Sequence, residues 1–298
     1  MPEIGEVVLW DPNPLLVART ALAPRPKVML ITADLDRALD QADLRFALVC
    51  VSHDQSSAVA HRAIEAGFHL LSEKLGAGTL GELTSIEARF LATQVRFRNP
   101  SHWLFQRQYS GGGILLWLGC HCLDLLHRIP NDEITEVSGF LATRSGEAID
   151  VEDTATLALK FRSGAIGTFH SGYSLAFSGK GYVNAKGYDS YTAFNGRKGR
   201  VIWPSLDPQL QIEAPAPENQ SAIRQESFNL PDSTSYGGVL GEVFFRWFIA
   251  STEGRAQPPT TLADALRTAR AIEAAELSSQ TGKSVKVVYT PANPALNR

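Results

Sequence analysis

Short apolar runs alternate with helical stretches in the N-terminal part of the chain. The runs that suit a strand are Val7–Trp10, 27–31, 45–51 and 69–72. Continuous apolar runs of this length are typical of strands buried on both faces of a parallel sheet. Segments 34–41 and 56–67, which lie between them, have the character of helices. This order of elements predicts a doubly wound parallel sheet.

Polar residues follow three of these predicted strands. Asp11 follows the first strand, Ser52 and His53 begin the loop after the third, and Glu73 and Lys74 follow the fourth. The carboxyl ends of parallel strands meet at one edge of such a sheet, and ligands bind outside that edge. The pattern therefore predicts a ligand site built from these loops.

A glycine-rich stretch at 75–81 separates this pattern from a different one. It predicts a domain boundary at residue 80, which divides the chain into 1–80 and 81–298. Residues 82–97 alternate apolar and polar side chains as an extended strand does, and residues 134–203 have the pattern of antiparallel strands.

Turn residues and helical periodicity complete the second pattern. The predicted hairpins join Thr154–Phe161 to 165–173 and 191–195 to 200–203. Residues 204–231 are rich in Pro, Gln, Asn and Ser, and we predict a long surface excursion there. Residues 238–251 and 262–280 are predicted helices, the second ending at Gly282.

The composition is that of an ordinary globular protein. Of the 298 residues, 44% are hydrophobic and 20% are charged, and the net charge is −3 with Lys and Arg scattered. These values give no basis for a nucleic-acid or polybasic membrane surface. The sequence contains no apolar run long enough to span a bilayer, and we expect no signal peptide. Three cysteines favour the reducing cytoplasm over a disulfide framework.

The segment 111–124 carries the strongest chemical signal. Gly111, Gly112 and Gly113 permit a close approach of the backbone, and an apolar helix follows with His121 and Asp124 three residues apart on one face. A histidine near the start of a helix after a glycine loop is a candidate proton-transfer group. The alternative is a glycine turn followed by a core helix that carries one hydrogen-bonded histidine.

Four blocks of the chain, in order, resemble one protein family. Residues 60–74 end in Ser-Glu-Lys, residues 111–124 begin Gly-Gly-Gly, residues 154–167 form the predicted hairpin, and residues 271–282 form the last helix. Together they resemble the Gfo/Idh/MocA family, NAD(P)-dependent oxidoreductases that act mostly on sugars, inositols and related polyols. The resemblance implies an α/β fold: an incomplete Rossmann-type parallel sheet, then an α+β domain with an open, mostly antiparallel sheet.

The resemblance also assigns roles to the two predicted domains. Residues 1–80 would form a partial dinucleotide-binding, Rossmann-like domain, and residues 81–298 a substrate and oligomerisation domain. The implied cofactor is NAD or NADP, the implied substrate is a small polyol or sugar, and the implied assembly is a homo-oligomer through the C-terminal sheet. It implies no nucleic-acid or membrane partner.

Individual residues receive roles only through this resemblance. Lys74 stands where the family lysine contacts the nicotinamide and the substrate hydroxyl, and His121 stands where the family has its proton-transfer histidine. Asp11 stands where an acidic residue holds the adenosine ribose. The remaining cofactor candidates are Ser52, His53 and Glu73, and the substrate candidates besides His121 are Arg98, Trp103 and Trp117.

Three departures separate this chain from the family pattern. Trp117 occupies the place of an aspartate that partners the histidine, and Leu75 replaces the proline after Glu-Lys. The first strand with its G-x-G-x-x-G turn and an inter-domain segment near residue 80 have no counterpart, so we expect weakened dinucleotide binding and direct pairing of Val7–Trp10 with 45–51. The indole of Trp117 suits either stacking on a sugar or packing in the core.

The Cys120-His121-Cys122 triplet suggests a metal site, which we reject. Neighbouring residues on a helix point to different faces, and no second pair lies at finger-like spacing. We expect His102, His127 and His170 to be structural.

Two hypotheses follow. The first is a dehydrogenase in which His121 handles the proton while Lys74 orients and polarises the substrate, the missing first strand and inter-domain segment then reflecting an incomplete gene model. The second is a catalytically weak or inactive homologue that binds a sugar or a partner through its sheet domain.

Overall fold

A computed structural model gives the structure. It describes residues 7–10, 15, 17–18, 27–32, 34, 37, 75, 78–92, 99–173, 188–204, 209–215, 222–227, 238–258 and 260–289. The chain divides into two compact units, 1–52 and 53–298. The boundary at residue 80 that the glycine-rich stretch indicates stays a prediction.

The first unit contains a parallel pair of strands. Strand β1 (Val7–Trp10) lies beside β2 (Val28–Thr32), with Val8 opposite Leu30 and Trp10 opposite Thr32. The second strand begins one residue later than predicted, because Lys27 has a left-handed backbone with φ of 79° and ends a turn. The parallel pairing fits the doubly wound pattern.

The remaining predictions for the parallel domain are outside the described residues. They are the strands at 45–51 and 69–72, the helix at 56–67 and the direct pairing of Val7–Trp10 with 45–51. Of the predicted helix at 34–41, Arg37 is described and is helical. Its backbone N–H donates to Asp34 Oδ1 at 3.1 Å, which is the capping bond expected of an Asp at a helix start.

The second unit is built on a large sheet with nine strands among the described residues. The strands are β3 (Leu83–Ala92), β4 (Ile134–Ala142), β5 (Thr154–Phe161), β6 (Ile166–Gly172), β7 (Tyr188–Gly196), β8 (Gly199–Trp203), β9 (Gln209–Glu213), β10 (Ile223–Ser227) and β11 (Val285–Lys286). Their spatial order is β10-β9-β8-β7-β3-β6-β5-β4-β11. The β3–β6 pair is parallel and the other described pairs are antiparallel. Both predicted hairpins, β5–β6 and β7–β8, are present.

Alternation along the strands separates a covered face from an open one. In β3, Ile86 and Phe90 are buried, whereas Glu87 and Arg89 are exposed, as the sequence predicts. The buried side chains join one apolar core with residues of the helices described below. On the open face, Phe140 is 77% exposed. An ion pair joins Arg89 to Asp189 there through two hydrogen bonds of 2.9 Å.

The surface excursion predicted for residues 204–231 is wrong in part. Strands β9 and β10 pair in this segment and extend the sheet beyond β8. Leu210 and Ile212 alternate with Gln209 and Gln211 and are buried, so β9 has the period of a half-buried strand. The polar composition reflects an edge position, where side chains of the other face meet solvent.

Two long helices follow the sheet strands. Helix α3 spans Gly238–Thr252 and helix α4 spans Leu262–Thr281, after the shorter helices α1 (Arg107–Ser110) and α2 (Cys120–Arg128) earlier in the chain. Thr261 and Asp264 form a capping box at the start of α4, and Gly282 ends it with φ of 66°. Both helices agree with the predicted positions. None of the described helices combines the length and apolar character that crossing a membrane requires.

Helix α4 covers the margin of the sheet beside β4. The hydroxyl of Ser278 accepts the N–H of Gly139 at 3.0 Å, and that of Ser279 accepts the N–H of Leu141 at 2.9 Å. Two strand amides that would otherwise lack a partner in the sheet are thereby satisfied. The same helix packs against the helix that carries His121.

His127 belongs to the core, as expected of a structural histidine. Its side chain is 1% exposed, with Nδ1 3.2 Å from the carbonyl oxygen of Asp132 and 3.4 Å from the amide of Ile134. Burial lowers the pKa of His127 to about 4, an effect that Arg267 reinforces and Asp132 opposes. The folded protein therefore holds this imidazole neutral.

This burial predicts a loss of stability in mild acid. Because the unfolded histidine takes up a proton below pH ~6.5 and the folded one does not, about 2–3 kcal/mol of stability present above that pH is lost as pH falls toward ~4. We expect His127→Leu to be slightly less stable than wild type at pH 7 and to lose less stability between pH 7 and pH 5. Urea unfolding at both pH values measures this, and equal pH slopes for the two proteins would contradict it.

Candidate functional site

The approach to the glycine block contains short helices that sequence patterns did not predict. A 3₁₀ turn spans Trp103–Phe105, and the His102 ring accepts the N–H of Leu104 at 3.3 Å at its start. Arg107–Ser110 forms a single helical turn that ends at Gly111, whose φ of 77° requires the left-handed conformation that glycine adopts freely.

A π-turn follows the three glycines. It spans Leu115–Gly119 and leads directly into a helix at Cys120–Arg128. Gly119 lies against the ring of Phe169, since a Cβ there would come within 3.3 Å of Phe169 Cε1. π-turns are rare and often accompany functional sites, because the extra residue re-aims the side chains that follow.

Glu152 holds the start of this segment, a role that the sequence did not reveal. Its carboxylate Oε1 accepts the N–H of Gly113 at 2.8 Å and that of Leu115 at 3.3 Å, and its backbone oxygen accepts the N–H of Ile114 at 3.0 Å. The residue is 5% exposed. A signal for it was available in the two acidic residues, Glu152 and Asp153, that stand just before the recognised 154–167 block.

Trp103 and Trp117 form an aromatic pair beside the π-turn. Their ring centroids are 5.1 Å apart at 77°, an edge-to-face contact. The indole N–H of Trp117 donates to the carbonyl of Ser110 at 3.1 Å, and both rings are partly exposed while packing against the core. Packing and exposure therefore coexist at Trp117, so both interpretations of its indole stay open.

His121 lies in the first turn of the Cys120–Arg128 helix and is partly exposed. Asp124, one turn further on, forms an ion pair with Arg128 at 3.5 Å. Burial raises the pKa of Asp124, and Arg128 works against that rise. The aspartate is thus engaged with Arg128 on the same helix.

The cysteines on either side of His121 are protonated at neutral pH. Burial raises the pKa of the Cys120 thiol to about 12 and that of the Cys122 thiol further. A thiol in this state is a poor metal ligand and a poor nucleophile. Within the described ranges, no three His, Cys, Asp or Glu side chains gather as a metal site requires.

A cleft of ≈ 430 Å³ borders the glycine segment and is lined by Arg107, Asp150, Glu152 and Glu276. The guanidinium of Arg107 lies 3.3 Å from Glu152 and 3.9 Å from Glu276. Burial raises the pKa of Glu276, Glu152 adds to the rise, and Arg107 opposes it. One arginine thus faces two carboxylates next to the loop that leads to His121.

Several predicted site residues lie outside the described residues, so their roles stay predictions. They are Asp11, Ser52, His53, Glu73, Lys74 and Arg98. Leu75, the residue after Lys74, is described and packs against the core of the second unit. The described candidates Trp103, Trp117 and His121 all belong to the segment that Glu152 holds.

Known proteins match this chain in sequence. Residues 68–202 match the family model described as the GFO/IDH/MocA C-terminal domain. The chain is 22% identical over 236 residues to 1,5-anhydro-D-fructose reductase of Ensifer adhaerens, which covers 79% of this chain and 63% of that protein. It is 25% identical over 174 residues to myo-inositol 2-dehydrogenase of Thermotoga maritima, covering 57% and 45%. The chain therefore spans less than two thirds of the length of these relatives.

A solved structure matches the fold. Levoglucosan dehydrogenase in complex with NADH and levoglucosan superposes with a TM-score of 0.77 at 17% identity, covering 96% of this chain and 90% of that one. At this identity, the likeness establishes the fold. The parallel strand pair and the large, mostly antiparallel sheet give the chain a mixed α/β fold, as the sequence predicted.

The family match is more specific than the fold. Residues 68–202 resemble the C-terminal domain of the Gfo/Idh/MocA proteins, and the two curated relatives are a sugar reductase and an inositol dehydrogenase by name. The resemblance that the sequence blocks indicated is thereby confirmed.

Proposed function

We propose that the chain is an NAD(P)-dependent oxidoreductase that transfers a hydride between its cofactor and a sugar, inositol or related polyol. The observation that carries the proposal is the place of His121. It is partly exposed in the first turn of a helix that follows a glycine loop and a π-turn, inside the segment that matches the family domain. The named activities of the relatives and the NADH bound to the structural neighbour support it.

The chemistry assigns one task to each of two side chains. Oxidation of an alcohol removes a hydride from carbon and a proton from oxygen, and His121 would accept that proton because an imidazole titrates near neutral pH. Lys74 would stabilise the developing alkoxide charge and orient the hydroxyl. The family resemblance is the basis for the cofactor roles proposed for Asp11, Ser52, His53 and Glu73.

The aromatic pair favours a cyclic polyol or sugar as the substrate. A partly exposed indole offers an apolar face to the C–H face of a sugar ring, while Arg98 would contribute hydrogen-bond donors at the mouth of the site. Trp103 supports Trp117 from the edge at 5.1 Å, which holds that indole in one orientation. Assembly through the open sheet face and a cytoplasmic location are further predictions.

A second candidate function is a catalytically weak homologue that binds a sugar without efficient hydride transfer. Trp117 favours it, since this residue stands in place of the family aspartate and its indole N–H already donates to Ser110. An indole neither accepts a proton nor orients an imidazole by charge.

Cofactor titration separates the two functions. The full chain is titrated with NADH and with NADPH while nicotinamide fluorescence is followed, and saturation is expected in the micromolar to low-millimolar range. Reduction of NAD⁺ and NADP⁺ is then measured with levoglucosan and myo-inositol, and oxidation of NADH and NADPH with 1,5-anhydro-D-fructose. Saturable binding with turnover supports the oxidoreductase. Sugar binding without cofactor binding would exclude the oxidoreductase and support the second function.

A further inference from the structure

The segment that carries Trp117 and His121 starts without a cap of its own. Neither the π-turn nor the following helix has a side-chain hydrogen bond at its N-cap, which is Ile114 for the first and Gly119 for the second. The first amides of a helix point away from any intrahelical acceptor and need partners from elsewhere. Here three successive amides need one, and all are buried.

Glu152 supplies acceptors to all three amides. Its Oε1 serves Gly113 and Leu115, and its carbonyl serves Ile114, at distances of 2.8 to 3.3 Å. The approach is so close that a Cβ on Gly113 would lie 1.8 Å from the Glu152 carbonyl oxygen. The acidic side chain also suits the positive end of the helix that begins here.

Arg107 fixes the other oxygen of the same carboxylate. Its Nη2 lies 3.3 Å from Glu152 Oε2, and its Nη1 donates to the carbonyl of Gly111 at 3.3 Å. Asp150 in turn accepts the backbone N–H of Arg107 at 2.6 Å. The glycine stretch is therefore held at both ends, by Arg107 at its start and by Glu152 at its exit.

Hydrogen bonds connect the residues that Glu152 binds to the candidate site residues. The N–H of Trp117 donates to the carbonyl of Gly113 at 3.1 Å, so a shift of Gly113 moves the turn that bears the indole. His121 follows one turn later on the continuous helix. We propose that Glu152 is a positioning residue, whose carboxylate sets the orientation of the helix that presents Trp117 and His121. This proposal rests on the proposed function only for the role of His121 in turnover.

Two substitutions distinguish the effect of the length of the Glu152 side chain from the effect of its charge. Glu152→Asp keeps the charge but withdraws the carboxylate by one methylene from Gly113 and Leu115. Glu152→Gln keeps the reach and one acceptor oxygen but removes the charge. If the position of the Glu152 carboxylate matters, Glu152→Asp should disturb the segment 113–119 more than Glu152→Gln does. If only the charge matters, Glu152→Gln should disturb it more. Glu147→Ala, which removes an exposed carboxylate from the same β4–β5 connection, is the matched control.

Hydrogen exchange on the full chain, followed by mass spectrometry, measures the exchange rate of the backbone amides in segment 113–119 and does not depend on enzyme activity. We expect its exchange to accelerate at least tenfold in Glu152→Asp and less than threefold in Glu152→Gln and Glu147→Ala. The near-ultraviolet circular dichroism of the Trp103–Trp117 pair should change only in the Asp variant. Unchanged exchange in the Asp variant, or a larger effect in the Gln variant, overturns the proposal.

Kinetics test the link to the proposed function. We expect kcat for the best polyol to fall ten- to hundredfold in Glu152→Asp, with the NADH affinity within threefold of wild type. Glu152→Gln should keep most of the wild-type kcat. If the wild type neither binds cofactor nor turns over, the proposed function fails while the exchange result still decides the positioning role. A lower NADH affinity with unchanged kcat would overturn the role in presenting His121.

Discussion

Gly113→Ala is expected to lower the free energy of unfolding by about 3 kcal/mol, the largest effect that adding a methyl group should have at any of the glycines that the structure describes. The added Cβ would come within 1.8 Å of the Glu152 carbonyl oxygen and 2.9 Å of its carboxyl carbon. Relief requires that the buried Glu152 backbone move, which breaks the bonds to the amides of Ile114 and Leu115. Chemical denaturation followed by tryptophan fluorescence measures the loss.

Gly112→Ala is the matched control for this substitution. Its Cβ would meet Leu116 Cβ at 3.3 Å and Glu276 Oε1 at 3.7 Å, so a shift of a few tenths of an ångström accommodates it. We expect a change below about 1 kcal/mol there. Equal stabilities for the two variants would show that the contact between Gly113 and Glu152 is not tight.

His121→Gln is expected to reduce kcat by about 10²- to 10⁴-fold, provided that the chain is the oxidoreductase we propose. The amide of glutamine keeps hydrogen-bonding groups in a similar place but cannot accept and release a proton. Because the imidazole acts on the substrate hydroxyl, the NADH affinity should stay within threefold. Steady-state kinetics with the best polyol, together with a nicotinamide fluorescence titration, measures both quantities.

Cys120→Ala provides the control in the same helical turn. The thiol has its pKa raised to about 12 by burial, so it carries a proton at neutral pH and cannot serve as the base. We expect kcat of this variant within about twofold of wild type, since the change removes only one sulfur atom that packs against the core and leaves the helix intact. A loss of kcat in Cys120→Ala as large as in His121→Gln would assign the effect to helix packing and not to proton transfer.

The sequence alone was informative about the elements and the family. Alternation in β3, the turns of both hairpins and the Gly282 stop predicted strands and helices close to their observed positions, because local periodicity and turn chemistry decide such features. The glycine block and the Glu-Lys ending also carried the resemblance. Residues 204–231 misled the prediction, because a polar edge strand has the composition of a loop.

Only the tertiary structure decided what holds the candidate site. Glu152 lies 39 residues from Gly113 in the sequence, and no local pattern links a carboxylate before β5 to three amides at a helix start. The same holds for the parallel pairing of β3 with β6 and for the Ser278 and Ser279 hydroxyls on β4. The sequence determined which segments form strands and helices through short-range preferences. Which segment satisfies the buried polar groups of another depends on long-range packing, which local preferences do not encode.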